Sequence, residues 1–367
     1  MNRRLKNVHW ATMRLLLGSV GRLSEGIGIG YRHGFDSGSM LDYVYVNQAR
    51  GRLGVGRLID RVYLNAIGWR AIRARRELLK DILRQEITDR AGAIGEPDTS
   101  GAAGAVGAVG PTGAAGAEAE SGARGAAEPT DPRSSEPGSA GPEPIGNETI
   151  GAETVRTENS RSHRQGGSLG RAVPAGSAGR PGPTGPRGSR SAGRARPVAI
   201  LDVASGPGRY LQDVVEEFAS GTVRVECRDL DRAGLAQGER RARERGLTGI
   251  TYSPGDALDP RPGDPAPDVI VVSGLYELLL DDSVIAASIA RLRNMLAPGG
   301  VLVFTTQTRH PQLEFIAHVL PNRDGALWVM KCRSVEQAER WATDAGFTRV
   351  ASRRESVGLF TVTTARN

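Results

Sequence analysis

A long low-complexity stretch in the middle of the chain most limits what the chain can fold into. Residues 91–196 of the 367 are mainly Gly, Ala, Pro, Ser and Glu, with almost no large apolar side chain. Such a stretch cannot bury enough apolar surface to offset the entropy of ordering it, so it is predicted to be a disordered linker. Folded structure is therefore expected only in residues 1–90 and 197–367.

Charge is distributed unevenly over these three parts. Residues 1–90 carry a formal charge of +9 (17 basic minus 8 acidic), the linker 0 (11 minus 11) and residues 197–367 carry −2 (20 minus 22). Nucleic acid is not an expected partner, because basic and aromatic residues are not interleaved. Peripheral membrane contact through the basic N-terminus, around Trp10 and Leu15 to Leu17, stays open beside a simply solvated helix face.

Cysteine usage and the N-terminus bear on the compartment. Cys227 and Cys332 do not form a ligand-like pair, so neither a disulfide framework nor a metal site is expected. The first residues lack a small-residue cleavage pattern, and no apolar run approaches the roughly 18 residues of a spanning helix. The sequence therefore predicts a cytoplasmic protein with free thiols.

The N-terminal part has a helical pattern. Apolar residues recur at spacings of three and four between Arg57 and Arg90, which predicts one or two amphipathic helices. Upstream, residues 34–38 and 50–56 are predicted to be glycine-punctuated turns. The second group is not expected to bind phosphate, because no apolar strand leads into it.

The C-terminal part has the pattern of an α/β domain. Apolar, β-branched runs alternate with helical patterns, the runs being residues 198–203, 223–227, 250–253, 269–272 and 301–305. This alternation predicts a parallel sheet with helices on both faces. Residues 347–355 and 358–364 are separated by only a short turn, so these two strands are expected to pair antiparallel. The predicted fold class is α/β and Rossmann-like, closing with an antiparallel hairpin.

A glycine-rich loop follows the first predicted strand. The sequence from Leu201 to Tyr210 reads Leu-Asp-Val-Ala-Ser-Gly-Pro-Gly-Arg-Tyr and leads into a helical pattern. Gly206 and Gly208 allow the backbone to approach a ligand at the carboxyl edge of the sheet. Asp202 precedes them, and Leu211 stands where a dinucleotide-binding fingerprint would have its third glycine.

Acidic residues come at the ends of the next two strands. Asp229 is predicted to accept hydrogen bonds from two ribose hydroxyl groups. Asp231 is predicted to be a helix N-cap, and Glu226 is predicted to point to solvent. Asp256 follows the third strand, where its carboxylate would either accept from an adenine amino group or simply occupy a turn.

These strand-end residues resemble the class I S-adenosylmethionine (SAM) dependent methyltransferases. The Pro-Gly-Gly turn within residues 292–303 and the Ala345-Gly-Phe347 turn also resemble that superfamily. The resemblance implies a seven-stranded methyltransferase sheet over residues 197–367 and SAM as the cofactor. The implied cofactor-binding residues are Asp202, Ala204, Gly206, Gly208, Asp229, Leu230, Asp256, Ala257 and Ser273.

A narrower resemblance covers both sides of the linker. Residues 34–38, 41–45, 51–64 and 310–314 resemble a family of bacterial methyltransferases in which an N-terminal helical region precedes the SAM domain. Some members of that family are fused to an α/β-hydrolase. The resemblance implies that residues 1–90 close over the active site, with Tyr43, Tyr45 and Tyr63 as candidates for the covering side chains. Core packing is the alternative for these tyrosines.

The methyl acceptor is expected to be a small molecule or a lipid-like molecule. Methyl transfer from a sulfonium needs alignment and, for an oxygen or nitrogen acceptor, one base. His310 follows the fifth strand, and Tyr276 and Glu277 follow the fourth, so these three are the candidate catalytic residues. A helix-capping role for His310, and packing beneath SAM for Tyr276 and Glu277, stay open.

Two other functions also stay open on the sequence. One is a non-catalytic, methyltransferase-like domain whose N-terminus binds a membrane surface or a partner. The other is a nucleotide-dependent oxidoreductase, against which stand the incomplete glycine fingerprint and the closing antiparallel strand.

Overall fold

A computed structural model describes residues 3–95 and 196–367. Both ranges belong to the same compact unit. The predicted linker lies outside the described residues except at its edges. Its N-terminal boundary was placed five residues early, because the last helix of the N-terminal part continues from Arg90 to Gly95.

The described N-terminal residues form five α-helices. They are α1 (Arg3–Gly18), α2 (Glu25–His33), α3 (Gly38–Val46), α4 (Leu53–Leu64) and α5 (Ile67–Gly95), with a short 3-10 helix, Val20–Leu23, between the first two. The prediction of one or two helices between Arg57 and Arg90 is confirmed, since α4 and α5 cover that range.

The glycine-rich turn predicted at residues 50–56 is only partly a turn, because α4 already begins at Leu53. Gly56 lies inside this helix, where a Cβ would lie 2.3 Å from the backbone oxygen of Leu23. The close approach of the 3-10 helix therefore requires glycine at this position. Tertiary packing outweighs the low helix propensity of glycine here.

The C-terminal residues form a seven-stranded sheet in the order β3-β2-β1-β4-β5-β7-β6. The strands are β1 (Val198–Asp202), β2 (Val223–Asp229), β3 (Ile250–Pro254), β4 (Val269–Val272), β5 (Val301–Gln307), β6 (Arg349–Arg354) and β7 (Phe360–Arg366). The first five strands pair in parallel, and β7 pairs antiparallel with both β5 and β6. The predicted fold class is confirmed.

Helices cover both faces of the sheet. Those of this part are α6 (Arg209–Glu216), α7 (Arg232–Glu244), α8 (Asp282–Met295), α9 (Leu313–Val319) and α10 (Val335–Asp344). Helix α5 of the N-terminal part also packs on the sheet, burying Leu83 and Ile87 against strand residues such as Val225. Helices α8 and α10 bury Ile289 and Ala338 on the opposite face.

Ion pairs join the N-terminal helices to the sheet and its helices. The Arg84 guanidinium contacts both carboxylate oxygens of Glu217, at 2.6 and 2.8 Å, and Arg76 pairs with Asp213. The N-terminal part is basic and the sheet domain is slightly acidic, so these pairs neutralise part of the charge surplus seen in the sequence. Part of the positive charge of the N-terminal helices is therefore paired with carboxylates of the sheet domain.

Arg90 and Arg196, near the two ends of the central stretch, lie close to one carboxylate. Arg196 Nη2 lies 2.7 Å from Asp268 Oδ1, and Arg90 Nη1 lies 3.9 Å from the same oxygen. Asp268 is buried at the start of β4, and one of its oxygens also accepts the Ala199 backbone N–H at 2.9 Å. Asp268 therefore brings Arg90 and Arg196 close together.

Candidate active site

A tight loop joins β1 to α6. Gly206 and Gly208 both have a positive φ, 53° and 62°. A Cβ at Gly208 would lie 2.9 Å from Cys227 Sγ, so the loop is closely packed against β2 as well as left-handed. Both glycines are required by the backbone here, which is the basis of a cradle for a ligand at the carboxyl edge of the sheet.

Asp202 lies behind this loop. Its carboxylate accepts the Ala204 backbone N–H at 3.0 Å and the hydroxyl hydrogen of Tyr210. Asp202 is fully buried, and burial raises the pKa of its carboxyl to about 7. It lines neither of the two large cavities described below, so the structure places it where it shapes the loop.

Asp229 holds the loop from the end of β2. One of its oxygens accepts the Gly206 backbone N–H at 2.8 Å, and the other accepts the Asp231 backbone N–H at 2.8 Å. The predicted N-cap is confirmed, because Asp231 accepts from the first turn of α7. Glu226 was expected to point to solvent, but it is half-buried and pairs with Arg228 at 2.7 Å.

A cavity of about 530 Å³, here called the loop cavity, lies over the glycine loop. Six of the predicted cofactor-binding residues line it: Ala204, Gly206, Gly208, Asp229, Leu230 and Ser273. Helix α3 closes its other side with Ser37, Asp42 and Tyr45. Asp42 is held in place by two arginines, Arg209 at 2.6 Å and Arg241 at 2.7 Å.

Asp256 and Ala257 do not line the loop cavity. The Asp256 side chain is exposed and accepts the Leu258 backbone N–H at 2.8 Å, which is the turn role that the sequence left open. Ala257 is buried in the apolar cluster beneath the sheet. The structure therefore separates these two predicted cofactor residues from the other strand-end residues.

A second cavity, of about 500 Å³, lies under the N-terminal helices and is here called the cap cavity. Its walls come from α1, α2, α4 and α5 on one side and from α9 and the following loop on the other. They are mostly apolar, and include Leu17, Ile59, Trp69, Ile72, Phe315 and Met330. Such a lining favours a largely apolar ligand.

A few polar groups interrupt this apolar lining. Arg75 and Glu277 form a buried ion pair at 2.9 Å, and the Arg75 guanidinium lies 4.6 Å from the centre of the Phe360 ring. Glu277 Oε2, both amide atoms of Gln307 and Trp328 Nε1 have no hydrogen-bond partner among the described residues. Buried polar groups are normally partnered, so these atoms are candidates for contact with a ligand.

His310 also lines the cap cavity. Its Nδ1 accepts the Gln312 backbone N–H at 3.1 Å, and burial lowers its pKa to about 4. The ring is therefore neutral near pH 7 and carries its proton on Nε2. That nitrogen lies beside α5, where a Cβ at Gly68 would be 2.6 Å away. In this tautomer Nε2 of His310 is a hydrogen-bond donor.

Tyr276 does not reach either cavity. Its ring packs against Phe304 in the core, and its hydroxyl lies 3.1 Å from the Ser288 hydroxyl. Burial raises the pKa of Tyr276 above the value of a free phenol. The alternative of packing beneath the cofactor site fits this position, and the structure gives no support to a catalytic role.

The candidate covering tyrosines are divided between several places. Tyr45 lines the loop cavity and Tyr63 lines the cap cavity. Tyr43 lines neither cavity, because its hydroxyl donates to the buried carboxylate of Asp60. Tyr43 is therefore part of the packed core, whereas Tyr45 and Tyr63 lie at the cavities.

The loop cavity and the cap cavity share part of their walls. Five residues line both of them: Asp36, Leu41, Arg75, Gly274 and Leu278. Arg75 at this shared wall also binds Glu277, so the carboxylate lies close to the boundary. Ligands occupying the two cavities would meet there.

Sequence reasoning missed several of the residues that build this site. Asp42 and Arg75 were not singled out, although Asp42 falls in the stretch 41–45 that carries the family resemblance. Gln307 was overlooked because it looks like the end of an ordinary strand. The partners of Asp42 and Arg75 lie 167 and 202 residues further along the chain, so local spacing contained no signal for them.

The fold and the loop after β1 define a class I methyltransferase of the SAM-dependent superfamily. A model of the family described as "Putative methyltransferase" matches residues 1–95 and 189–367. The chain belongs to this family of methyltransferases. The match includes the N-terminal helices as well as the sheet domain, in agreement with their shared cavities.

One curated relative is YnbC of Escherichia coli strain K12, an uncharacterized protein. It is 29% identical to this chain over 358 residues, which are 96% of this chain and 44% of YnbC. The chain thus spans less than half the length of that relative.

Solved structures resemble the sheet domain only loosely. A possible exported protein from Bordetella parapertussis is 24% identical, with 47% of this chain and 62% of that chain covered and a TM-score of 0.40. An O-methyltransferase family 2 protein from Planctomyces limnophilus, solved with apigenin, is 21% identical, with 46% and 50% covered and a TM-score of 0.38.

Among the described helices, none has the length and apolarity to cross a bilayer.

Proposed function

We propose that the chain transfers a methyl group from SAM, bound in the loop cavity, to the hydroxyl group of a lipid-like molecule bound in the cap cavity. The observation that carries this proposal is the shared wall, which puts a polar, glycine-cradled site directly beside an apolar one. A methyl donor and a methyl acceptor need this kind of adjacency, because the reacting atoms must be in line.

The residues of the loop cavity fit SAM. The glycine loop lines the loop cavity with backbone at Gly206 and Gly208, and this cavity has room for a ligand of nucleoside size. Asp229 is already oriented by two backbone N–H groups, and its carboxylate retains lone pairs for ribose hydroxyls. When bound, SAM supplies a methyl group on a sulfonium, whose sulfur leaves as the acceptor oxygen takes the methyl.

The cap cavity fits an apolar acceptor with one polar group. Its walls are aromatic and aliphatic, and its few unpartnered atoms offer an indole N–H, an amide and a carboxylate oxygen. A hydroxyl group both donates and accepts, so it would satisfy Glu277 Oε2 and one of the neighbouring N–H groups together. An acceptor with several charges would lose hydration against these apolar walls, which is unfavourable.

Glu277 is the group that we assign to accept the hydroxyl proton. Arg75 binds its Oε1 and leaves Oε2 without a hydrogen-bond partner among the described residues, which orients the carboxylate without engaging its second oxygen. His310 keeps its proton on Nε2 and so orients the acceptor by donating a hydrogen bond. This division of roles follows from the tautomer of His310, which leaves Glu277 as the available base.

Calorimetric titration of the purified chain with SAM, S-adenosylhomocysteine and NADH tests the cofactor assignment. We expect both adenosyl ligands to bind and NADH not to bind. Asp229→Ala should weaken SAM binding about tenfold or more, because it removes a charged hydrogen-bond acceptor and loosens the loop, a loss of roughly 1.4 kcal/mol or more.

The matched control is Asp259→Ala, which removes an exposed carboxylate away from both cavities. It should bind SAM as the unmodified chain does. Binding of NADH alone would replace this proposal with the oxidoreductase, and equal SAM affinity in a folded Asp229→Ala protein would remove Asp229 from the site.

A further inference from the structure

Helix α4 exposes an apolar stripe to solvent. Leu53, Val55, Leu58 and Val62 are exposed by 79, 58, 62 and 68%, although large apolar side chains are normally buried. The last three follow each other at helical spacing, so they lie along one side of α4. These four side chains, with the arginines described next, are called the α4 face.

The charges on this face all have one sign. Arg52, Arg57 and Arg61 are exposed, and none of the three forms an ion pair within the described parts of the chain. The acidic residue of α4, Asp60, is fully buried and accepts hydrogen bonds from Ser24 and Tyr43. The α4 face therefore combines exposed apolar groups with unneutralised positive charge.

The backbone at the start of α4 holds one of these side chains outward. Leu53 has a φ of 60°, a left-handed conformation that is uncommon for a non-glycine residue. A residue in this conformation that is also 79% exposed gains nothing from burial within this chain. Local strain of this kind is maintained most often at positions that contact a ligand or a surface.

The α4 face also forms the mouth of the cap cavity. Leu58 and Val62 are exposed to solvent and at the same time line that cavity. The neighbouring Ile59 and Tyr63 continue the lining toward the interior. An apolar molecule at the α4 face would therefore meet apolar side chains that continue into the cavity.

We infer that the α4 face docks on an anionic lipid bilayer and that the cap cavity receives its acceptor directly from that bilayer. The exposed Leu and Val side chains would lie among the acyl chains, and the three arginines would contact anionic headgroups. The charge of the face selects the anionic bilayer over a neutral one. A protein partner would have to present both an acidic and an apolar surface. The vesicle experiment below distinguishes this alternative from the bilayer.

This docking surface differs from the N-terminal segment that the sequence pointed to. Trp10 stacks on His318 at 5.1 Å, and Leu17 lines the cap cavity, so both side chains face inward. Lys6 lies 3.5 Å from Glu314, and Arg14 donates to the His318 carbonyl oxygen. Trp10, Leu17, Lys6 and Arg14 of α1 are therefore already engaged, whereas Leu15 and Leu16 are exposed by 72 and 47%.

Vesicle sedimentation with the full chain tests the inference. The probes are vesicles of phosphatidylcholine alone and of phosphatidylcholine mixed with phosphatidylglycerol, without SAM. We expect binding only to the mixed vesicles, falling as salt is raised. The double variant Leu53→Glu, Val55→Glu should lose at least tenfold in binding, because it puts two charges on the α4 face without touching the cavity lining.

Two matched controls separate this effect from general changes in polarity and charge. Leu280→Glu changes a side chain that is 54% exposed on the loop before α8, and it should bind vesicles normally. Arg57→Gln with Arg61→Gln should weaken binding, whereas the same charge change at Arg349 and Arg353 of β6 should not. A thermal melt followed by circular dichroism verifies that each variant is folded.

Failure of the wild-type chain to bind mixed vesicles, or equal binding by the Leu53→Glu, Val55→Glu variant, would overturn the docking inference. The origin of the acceptor rests on the proposed function, but vesicle binding does not. SAM titration of the same samples therefore distinguishes failure of the docking inference from failure of the proposed function. A chain that binds SAM but not vesicles retains its proposed cofactor. A chain that binds vesicles but does not bind SAM loses it.

Discussion

Two buried carboxyl groups near the candidate active site have opposite surroundings. Asp202 accepts hydrogen bonds from a neutral backbone N–H and a neutral phenol, and it forms no ion pair within the described parts of the chain. Glu277 is equally buried but pairs with the Arg75 guanidinium. Because burial disfavours the charged form of a carboxyl group, Asp202 is expected to titrate near neutrality, whereas Glu277 is oriented by its ion pair with Arg75.

Asp202 should make the stability of the chain depend on pH. Burial raises its pKa from 3.8 to about 7 in the folded state, so the folded chain holds a proton that the unfolded chain has released. The free energy of unfolding contributed by this group is therefore largest below pH 3.8 and falls as pH rises toward 7. Urea unfolding of the wild type and of Asp202→Asn across this range should show a shallower slope for the variant.

The slope, rather than the stability itself, is the quantity to compare. An asparagine at position 202 cannot accept equally well from both Ala204 and Tyr210, so the variant is expected to be less stable at every pH. Identical slopes for the two proteins would show that Asp202 stays ionised throughout.

Glu277→Gln should lower the turnover number about a hundredfold, because the amide still contacts Arg75 but cannot take a proton. The measurement is S-adenosylhomocysteine release with a lipid extract as the source of acceptor, after the extract has been shown to support turnover by the wild type. SAM affinity should be unchanged. His310→Asn, which retains a donor, should raise KM more than it lowers kcat; a larger kcat loss at His310 than at Glu277 would reverse their roles.

At the scale of elements, the strands were easier to predict than the N-terminal helices. Runs such as Val269–Val272 are buried on both faces of the sheet, so a purely apolar sequence marks them. Helix α2, by contrast, contains Gly26, Gly28 and Gly30, which disfavour a helix locally. Aromatic side chains approach two of these glycines closely: a Cβ at Gly26 would lie 2.8 Å from the Tyr43 ring, and a Cβ at Gly30 would lie 2.5 Å from the Phe35 ring.

The part of the site that lies at the ends of the strands was predictable from the sequence. Gly206, Gly208 and Asp229 follow the strands directly, and all three line the loop cavity. The acceptor side depends on which helix packs over which strand, and that information is absent from local patterns. Arg75 shows this clearly, since nothing near it in the sequence indicates that it meets Glu277 beneath the cap.

Asp42 of helix α3 pairs with two arginines of the sheet domain. Its carboxylate is 9% exposed and binds Arg209 and Arg241, so Asp42→Ala would leave two partly buried guanidinium groups without this partner. We expect the free energy of unfolding to fall by about 3 kcal/mol and SAM binding to weaken, because Asp42 also lines the loop cavity. Chemical denaturation and calorimetry measure these two effects.

Glu25→Ala is the matched control for this variant. Glu25 pairs with Arg32 at 2.9 Å, but both side chains are exposed, so its loss should cost less than about 0.5 kcal/mol. A similar cost for the two variants would indicate that Asp42 does not anchor α3.

At the scale of the whole molecule, Arg90 and Arg196 lie near the two ends of the central stretch, and both are close to Asp268. The family match also omits residues 96–188, so the fold and its cavities are expected to form without them. Deleting residues 102–189 should leave SAM affinity unchanged. It should raise the free energy of unfolding by about 2 kcal/mol, because closing a shorter loop costs less entropy. Calorimetry and denaturation of the deletion variant test both statements, and loss of SAM binding would give this stretch a part in the site.

The wall shared by the loop cavity and the cap cavity makes the two ligands thermodynamically dependent on each other. A ligand that orders Leu41, Gly274 or Leu278 from one side changes the surface met by a ligand on the other side. Thermodynamic linkage then requires reciprocity: whatever factor SAM applies to the affinity of the acceptor, the acceptor applies to the affinity of SAM. An unreactive amphiphile that tightens SAM binding would therefore report occupancy of the cap cavity before any natural acceptor is known.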